Sequence, residues 1–510
     1  MLNVPRALPQ IMCKRPNGVE KTNNLDSFLE PVGNKKAKFH EIIKCHRDFL
    51  IYLRLSRNQG QERSPVTISS LAKYIAGVNR MVVENVEIEN PEINPAIIIS
   101  VRPTKRDSCR CGICRKKCSR YDHGYGRRRW RSLDIGNSLK VYLESDSPRV
   151  WCREHGAVVQ MAPWARHGSK HTRNFEDTAV WMSLHLSRKA IAEYLRVSWD
   201  SVGPMISRVE KETRSDENRF DGLVKIGIDE TSYKKGHKYI TVVINHETNS
   251  VIWAAKGFGK EVLENFFKEL TPAQRKSIQL ISGDGAKWIK DTVADYCPGA
   301  TFCIDPFHVV SWCEEVLDTV RKQQWNKARE KVAAEKRGQA KRGRGRPKGG
   351  SAEKTAAQKE AEIMKSSKYP LLMNPDHLDE SYQAKLQTIL LYDRRLATAY
   401  RLKEGLRAIF HLPADEVRLA LEKWRRRAWS SRIPEYVDLQ RTIKRHMDSI
   451  IATVTHQISN ARVEATNNKI KLTIRMAYGF RNIDNLIALI YLRCGGRVIY
   501  LPGRTPQQAA

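Results

Sequence analysis

Alternation of hydrophobic and polar positions marks the first regular segments of the chain. Within residues 69–102 it runs through MVVENVEIE and PAIIISVRP, and within residues 103–165 through SLKVYLESD. Successive side chains of a β-strand point to opposite faces, so these runs predict a small β unit. Residues 174–213 carry apolar side chains at helical spacing and predict helices. Residues 1–68 are polar and irregular, and we assign them no function.

The pattern changes in residues 223–310, which contain five short β-rich runs: KIGIDE, KYITVVIN, SVIWAAKGF, IQLISGDG and ATFCIDPF. A helical pattern, KEVLENFFKEL, separates the third run from the fourth. The resulting order is three strands, a helix, a strand, a helix and a strand. This order predicts an α/β unit. Residues 311–455 and 456–493 are mostly helical in pattern, with a basic low-complexity stretch at 337–350.

Composition and charge narrow the classes of function that the chain can have. The chain has 510 residues, 41% of them hydrophobic, which excludes wholesale disorder. No apolar run approaches the length of a membrane span, and the first residues lack a signal-peptide core, so we expect a cytoplasmic protein without a membrane partner. The formal net charge of +33 favours a polyanionic partner, with nucleic acid ahead of an acidic membrane surface.

Cysteine spacing predicts a structural zinc site. The 11 cysteines are an odd number, which argues against a disulfide framework in an intracellular chain. Two knuckles, CxxC and CxxH, supply four candidate ligands that close a tetrahedron: Cys111, Cys114, Cys152 and His155. SLKVYLES and SPRVWC are expected to supply strands of the zinc ribbon. The alternatives are a ligand set that uses Cys109 or Cys118, or a cysteine-rich loop without metal.

Residues 187–209 have the outline of a helix-turn-helix. Helically spaced apolar residues flank a short connection, and Ser198 is placed to cap the second helix. Trp199 and Ser201 would then lie at the DNA-reading end of that helix. Pro204 argues against this interpretation, since proline inside a helix removes a hydrogen bond and kinks the helix. An ordinary helical hairpin is the alternative.

Three carboxylates form a candidate magnesium site. Asp229 and Asp284 each follow an apolar run, and carboxylates at the ends of adjacent strands can converge on a hard cation. In a helix, Glu464 would share one face with Asn467, Asn468 and Lys471. Strand-end carboxylates more often act only as caps, so spacing alone indicates this site weakly.

Several motifs together resemble one family, the insertion-sequence transposases of the ISL-three group. They run in order from about residue 69 to residue 496: CGICRKKCSRYDHGYGRRRWRSLDIG, WCREHGAVVQMAPWAR, AIAEYLRVSWDSVG, IGIDETSYKKGHKYITVVIN, SGDGAKWI, CIDPFHVV, RIPEYVDL and SNARVEATNNKIK…AYGFRN.

The resemblance implies a multidomain α/β protein. Its RNase H-like catalytic core, a mixed sheet flanked by helices, is interrupted by a helical insertion and preceded by a zinc ribbon and a helix-turn-helix. The implied boundaries are 1–68 for an N-terminal extension, 69–165 for the small β unit and ribbon, 166–215 for the helix-turn-helix, 220–320 and 456–496 for the core, 321–455 for the insertion, and 497–510 for a tail.

Residue by residue, the resemblance matches Asp229, Asp284 and Glu464 to a DDE triad that binds two Mg²⁺ (or Mn²⁺) ions, and the four Cys and His residues to the ribbon ligands. Asp305 and His308 of the DPFH motif are expected to shape the site, or Asp305 only to cap its strand. Glu230 is expected on the opposite face of its strand from Asp229.

Basic residues complete the DNA-binding prediction. Arg344 and Arg346 resemble the core of an AT-hook, although a disordered basic linker fits the stretch equally well. Lys469 and Lys471 are expected to contact DNA beside Glu464.

We therefore expect a bacterial, nucleoid-associated DNA transposase that binds terminal inverted repeats and target DNA as a homo-oligomer and catalyses Mg²⁺-dependent hydrolysis and strand transfer. The rivals are a non-enzymatic zinc-dependent DNA-binding regulator and a domesticated, inactive transposase. The sequence shows no nucleophile motif of a Tyr or Ser recombinase and no complete phosphate-loop motif of a nucleotide-binding site.

Overall fold

A computed structural model describes residues 67–504, apart from 79, 93, 137–138, 216–218, 339–353 and 459–460. The N-terminal extension up to residue 66 and the AT-hook-like Arg344 and Arg346 therefore lie outside the described residues. No helix within the described ranges is long and apolar enough to cross a membrane.

Strands are numbered here in chain order. They are β1 Met81–Glu89, β2 Ala96–Pro103, β3 Ser119–Asp122, β4 Arg127–Ile135, β5 Leu139–Asp146, β6 Arg149–Cys152, β7 Gly156–Val159, β8 Lys225–Lys234, β9 Lys238–Asn245, β10 Ser250–Lys256, β11 Leu280–Gly283 and β12 Thr301–Ile304.

Helices are numbered in the same way. They are α1 Ile68–Ala76, α2 Arg173–Ser183, α3 Arg188–Tyr194, α4 Trp199–Ser215, α5 Lys260–Glu269, α6 Pro272–Ser277, α7 Lys287–Tyr296, α8 Pro306–Gly338, α9 Ala356–Lys365, α10 Lys368–Leu372, α11 Glu380–Tyr392, α12 Arg394–Ile409, α13 Ala414–Ser430, α14 Pro434–Arg445, α15 Met447–Thr455, α16 Ala461–Met476 and α17 Ile483–Cys494, with a 3₁₀ turn at Pro375–His377.

The small β unit is a four-stranded sheet with the order β1-β2-β5-β4. The ribbon is a separate three-stranded sheet with the order β3-β6-β7. The expectation that SLKVYLES builds the ribbon is therefore wrong, because this strand, β5, pairs with β2 and β4 instead. SPRVWC was assigned correctly, since β6 is the central ribbon strand.

Helices α2, α3 and α4 form the predicted helix-turn-helix. The hydroxyl of Ser198 accepts from the backbone of Asp200 at 3.4 Å, as expected of a cap. Pro204 does not end the helix, which continues to Ser215. Proline in the second turn removes only one hydrogen bond, and the packing of Val202, Met205 and Ile206, all fully buried, holds the helix together.

The α/β unit is a five-stranded mixed sheet with the order β10-β9-β8-β11-β12. Strands β8, β9 and β10 are antiparallel neighbours, whereas β11 runs parallel to β8 and β12 parallel to β11. Helices α5 and α7 pack in the core of one face and helices α16 and α17 in the core of the other. The five predicted strands and their order along the chain are confirmed.

The helical segment between the two parts of this unit shares its hydrophobic core with the sheet. Helix α8 begins directly after β12 and runs for 33 residues, or about 50 Å, through the boundary expected at residue 320. Helix α15 returns to the sheet, where the hydroxyl of Thr453 donates to the carbonyl of Ile304 at 2.7 Å.

Candidate metal centres and nucleic-acid interface

The four predicted ribbon ligands lie together. Donor atoms of Cys111, Cys114, Cys152 and His155 are all within 4.8 Å of one another. Sγ of Cys114 is 3.6 Å from Sγ of Cys152, and Nδ1 of His155 is 3.5 Å from Sγ of Cys152 and 3.8 Å from Sγ of Cys111. Tetrahedral bonds to zinc separate ligand atoms by about 3.7 Å, so the cluster fits zinc.

Local backbone geometry shapes this cluster. The amide of Ile113 donates to Sγ of Cys111 at 3.4 Å, and a side chain at Gly112 would come within 2.5 Å of the carbonyl oxygen of Val159. The hydrogen bond with His155 lowers the pKa of Cys152 to about 6, toward the thiolate form that binds metal. Cys118 donates to a backbone carbonyl and stands outside the cluster.

An ionic network joins the ribbon to the helix-turn-helix. Glu212 of α4 accepts hydrogen bonds from Arg166 at 2.7 Å, Arg173 at 2.8 Å and Arg115 of the ribbon at 2.5 Å. Burial opposes ionisation of Glu212, but the hydrogen bonds and charges of these arginines outweigh it and hold the pKa at about 2. The ribbon and the helix-turn-helix are therefore held to one another by charge-assisted hydrogen bonds.

The start of α4 presents the residues predicted to read DNA. Trp199 is exposed, Ser201 is half-buried, and the guanidinium of Arg481 lies 5.2 Å from the ring of Trp199. Arg481 belongs to the turn that follows α16, which sequence reasoning did not connect with the recognition helix. Asn485 of α17 also accepts from Ser207 at 3.1 Å. The C-terminal segment thus supports the first half of α4.

Strand pairing brings Asp229 and Asp284 to the same edge. The parallel register pairs Ser282 with Gly227, and both aspartates lie two residues beyond these partners. Asp305 directly follows β12, and its amide donates to the carbonyl of Gly283 at 2.9 Å. Three neighbouring strands therefore place a carboxylate at this edge: Asp229 within β8, and Asp284 and Asp305 directly after β11 and β12. Burial raises the pKa of Asp229, as expected for a carboxylate removed from water.

Helix α16 packs closely over β8. A side chain at Gly227 would come within 2.8 Å of both Val463 and the ring of His246, so only glycine leaves room for this approach. The amide of Asn467 donates to Oδ2 of Asp229 at 2.5 Å. Asn467 is 7% exposed, and its own carbonyl oxygen, Oδ1, has no hydrogen-bond partner among the residues that the structure describes. Helical spacing predicts Asn467 on the polar face of this helix but assigns it no partner.

A cleft of about 1030 Å³ opens over this edge. The predicted helix face lines it, with Glu464, Asn467, Asn468 and Lys471 all contributing, whereas Lys469 is exposed outside it. The helical insertion supplies the opposite wall, which sequence reasoning missed; it includes Arg407, Phe410, His411, Leu412, Pro413 and Ala414.

The carboxylates are distributed unevenly in the cleft. Asp229, Asp305 and Glu464 line it, whereas Asp284 does not. Within the described ranges, the zinc ligands are the one group of three or more Cys, His, Asp or Glu side chains close enough to share a metal ion, so Asp229, Asp284 and Glu464 are not gathered as tightly. Nε2 of His308 lies 3.8 Å from Asp305 across one helical turn.

Glu230 also lines the cleft, but, as expected, it lies on the opposite face of β8 from Asp229. Asp229 contacts Asn467 of α16 on one face of β8, whereas Ile226 and Ile228 pack in the core on the other face, beside α5 and α7. There Glu230 accepts from the amide of Gly259 at 3.1 Å, and burial raises its pKa.

Family comparison agrees with this arrangement. A transposase model of family ISL3, the ISL-three group, matches residues 226–490, which is more than half of the chain. The chain belongs to transposase family ISL3. The helix-turn-helix domain of that family matches residues 160–209, and the zinc finger of the IS204/IS1001/IS1096/IS1165 transposases matches residues 107–155. The resemblance is confirmed, and the zinc-finger match and the Cys₃His cluster together support structural zinc.

Relatives of this ISL3 member resemble it over most of their length. The transposase for insertion sequence element IS1557 of Mycobacterium tuberculosis is 42% identical over 437 residues, which are 85% of this chain and 97% of the relative. The transposase for IS1001 of Bordetella parapertussis is 26% identical over 401 residues, 78% of this chain and 91% of the relative.

Proposed function

We propose that the chain is the transposase of a bacterial insertion sequence and cleaves and joins DNA through a DDE triad of Asp229, Asp284 and Glu464. One observation carries the proposal: the helix that bears Glu464 docks on the strand that bears Asp229, through the bond from Asn467, at the edge where Asp284 ends the adjacent parallel strand. The strand order supports the RNase H-like core that the family resemblance implies.

The donor set fits Mg²⁺, which prefers oxygen ligands. Asp229, Asp284 and Glu464 would hold the ions, and the unpartnered oxygen of Asn467 adds a buried acceptor at the same place. When bound, two such ions activate the attacking oxygen and stabilise the leaving oxygen of the phosphodiester. The first attack, by water, frees a 3′-hydroxyl at the element end, and that hydroxyl then attacks target DNA.

The surrounding residues are proposed to bind and orient the DNA. Lys471 lines the cleft beside Glu464, where its ammonium group would neutralise a phosphate. Trp199 and Ser201 would read the terminal inverted repeat, and Lys469 would contact the flanking backbone. A homo-oligomer on DNA would bring two element ends together.

Substitution of each triad residue by alanine tests the proposal. We expect Asp229→Ala, Asp284→Ala and Glu464→Ala to abolish Mg²⁺-dependent cleavage of DNA that contains the element end while binding of that DNA survives. The matched control is Glu380→Ala, at an exposed carboxylate of the insertion that lies outside the cleft.

Retained cleavage in any triad variant would overturn the assignment. Mg²⁺-independent binding without cleavage by the native chain would favour a zinc-dependent regulator or an inactive, domesticated transposase instead.

A further inference from the structure

An exposed row of aromatic rings crosses the zinc ribbon on the side away from its core. Trp151, Tyr121 and Tyr125 are 51%, 54% and 82% exposed. Large exposed aromatic residues in one patch are unusual on a protein surface and mark interaction sites.

The row is built by strand alternation and by a turn. In β6, Val150 and Cys152 are buried, so Trp151 points outward from between them. A bulge in β3 between Arg120 and Asp122 brings Tyr121 beside it, with ring centroids 5.7 Å apart. Tyr125 stands in the tight turn between β3 and β4, whose glycines Gly124 and Gly126 have φ of 65° and 72°.

Arg149 joins the rings into one continuous platform. Its guanidinium lies 5.3 Å from the ring of Tyr121 and 6.0 Å from that of Tyr125. Asp122 orients it, since Nε of Arg149 is 3.0 Å from both carboxylate oxygens. The order along the row is therefore Trp151, Tyr121, Arg149, Tyr125, with each member in contact with the next.

The charge around the row is positive. Segments 119–127 and 149–154 carry four arginines, Arg120, Arg127, Arg149 and Arg153, and two carboxylates, Asp122 and Glu154. Asp122 pairs with Arg149, Glu154 with Lys116 and Arg127 with Glu144 of β5, which leaves a net positive charge along the row. A surface that combines flat rings with an excess of guanidinium groups is complementary to nucleobases joined by phosphates.

We propose that this platform binds unpaired DNA by stacking bases on Trp151, Tyr121 and Tyr125. The proposal rests on the proposed cleavage reaction, since a strand cut at an element end can separate from its complement and expose bases. Duplex DNA buries its base faces, so it offers the rings no stacking partner. The ribbon would then hold the freed strand while the helix-turn-helix holds the adjoining duplex.

Two probes test the platform with the full chain: a blunt duplex, and the same duplex with a single-stranded thymidine tail of about ten nucleotides. The native chain should bind the tailed probe more tightly. The double variant Tyr121→Ala/Tyr125→Ala should weaken tailed binding by about 5- to 100-fold and leave blunt binding within about twofold. Tyr121→Phe/Tyr125→Phe, which keeps the rings, should behave as the native chain.

Tyr369→Ala is the matched control, because this tyrosine of the helical insertion is 64% exposed and lies outside the ribbon. Zinc content of each variant reports whether the ribbon is intact. Equal losses on both probes, or no loss on either, would overturn the platform. Unchanged DNA binding with an altered oligomeric mass would assign the row to a protein interface instead.

Failure of the platform is distinguishable from failure of the proposed function. A native chain that cleaves end-containing DNA but shows no preference for the tailed probe contradicts only the platform. A native chain that binds neither probe contradicts both.

Discussion

Asn467 of α16 donates a 2.5 Å hydrogen bond from its amide nitrogen to Oδ2 of Asp229 of β8, across 238 positions of sequence. Asp229 also accepts from the amide of Glu230 at 2.7 Å through its other oxygen. The carboxylate is thus oriented by one local and one distant donor, and the distant donor lies one helical turn from Glu464.

Removal of this orienting amide should impair catalysis without impairing DNA binding. We expect Asn467→Ala to reduce Mg²⁺-dependent cleavage by about 10- to 100-fold and to weaken metal binding, because partners that orient a metal-binding group typically contribute that much. Calorimetric titration of Mg²⁺ and a cleavage assay measure the two effects. Asn468→Ala, at the exposed neighbour on the same cleft, should change either quantity far less. Equal effects of the two substitutions would contradict the orienting role.

Glu212 should make the junction between ribbon and helix-turn-helix sensitive to acid. Its pKa of about 2 lies below the ordinary value of about 4.3, so its contribution to stability is present above about pH 5 and is lost as the pH falls toward 2. We expect Glu212→Gln to lower the free energy of unfolding by about 1–3 kcal/mol at neutral pH, with a smaller difference near pH 3.

Denaturant unfolding at several pH values checks this prediction. Glu154→Gln is the control, because Glu154 pairs with Lys116 on the exposed side of the same ribbon and should matter less. A Glu212→Gln difference that grows on acidification would contradict the network.

Zinc binding should depend on the four clustered ligands alone. We expect one zinc ion per chain and loss of that ion in Cys111→Ser, with ribbon unfolding because its sheet is small. Cys118→Ser should keep the ion, since Cys118 stands outside the cluster. Elemental analysis of the purified variants measures both. Loss of zinc from Cys118→Ser would instead support the alternative ligand set.

Gly203 should be required for docking of the helix-turn-helix on α17. A side chain there would come within 2.6 Å of the amide of Asn485, so Gly203→Ala should lower the free energy of unfolding by about 1–3 kcal/mol despite the better helix propensity of alanine. Thermal unfolding measures the loss. Gly299→Ala, where the added carbon meets nothing within 4 Å, should be nearly neutral.

Local sequence patterns predict much of the fold. The apolar run before Asp229, the helical spacing around Ile191 and the two cysteine knuckles each depend on neighbours in sequence, and each element appears where it was expected. Predictions about partners succeeded less often. The strand β5 joins another sheet, because its place depends on which distant strand pairs with which edge.

By itself, the sequence determined the elements, the zinc ligand set, the positive charge and the family, since periodicity, spacing and composition are properties of the chain. Only the tertiary structure decided that Asn467 orients Asp229, that Glu212 joins the ribbon to the helix-turn-helix and that residues of the helical insertion line the cleft. Each of these contacts joins residues far apart in the chain, and such contacts form only when packing of separate elements buries their shared surfaces.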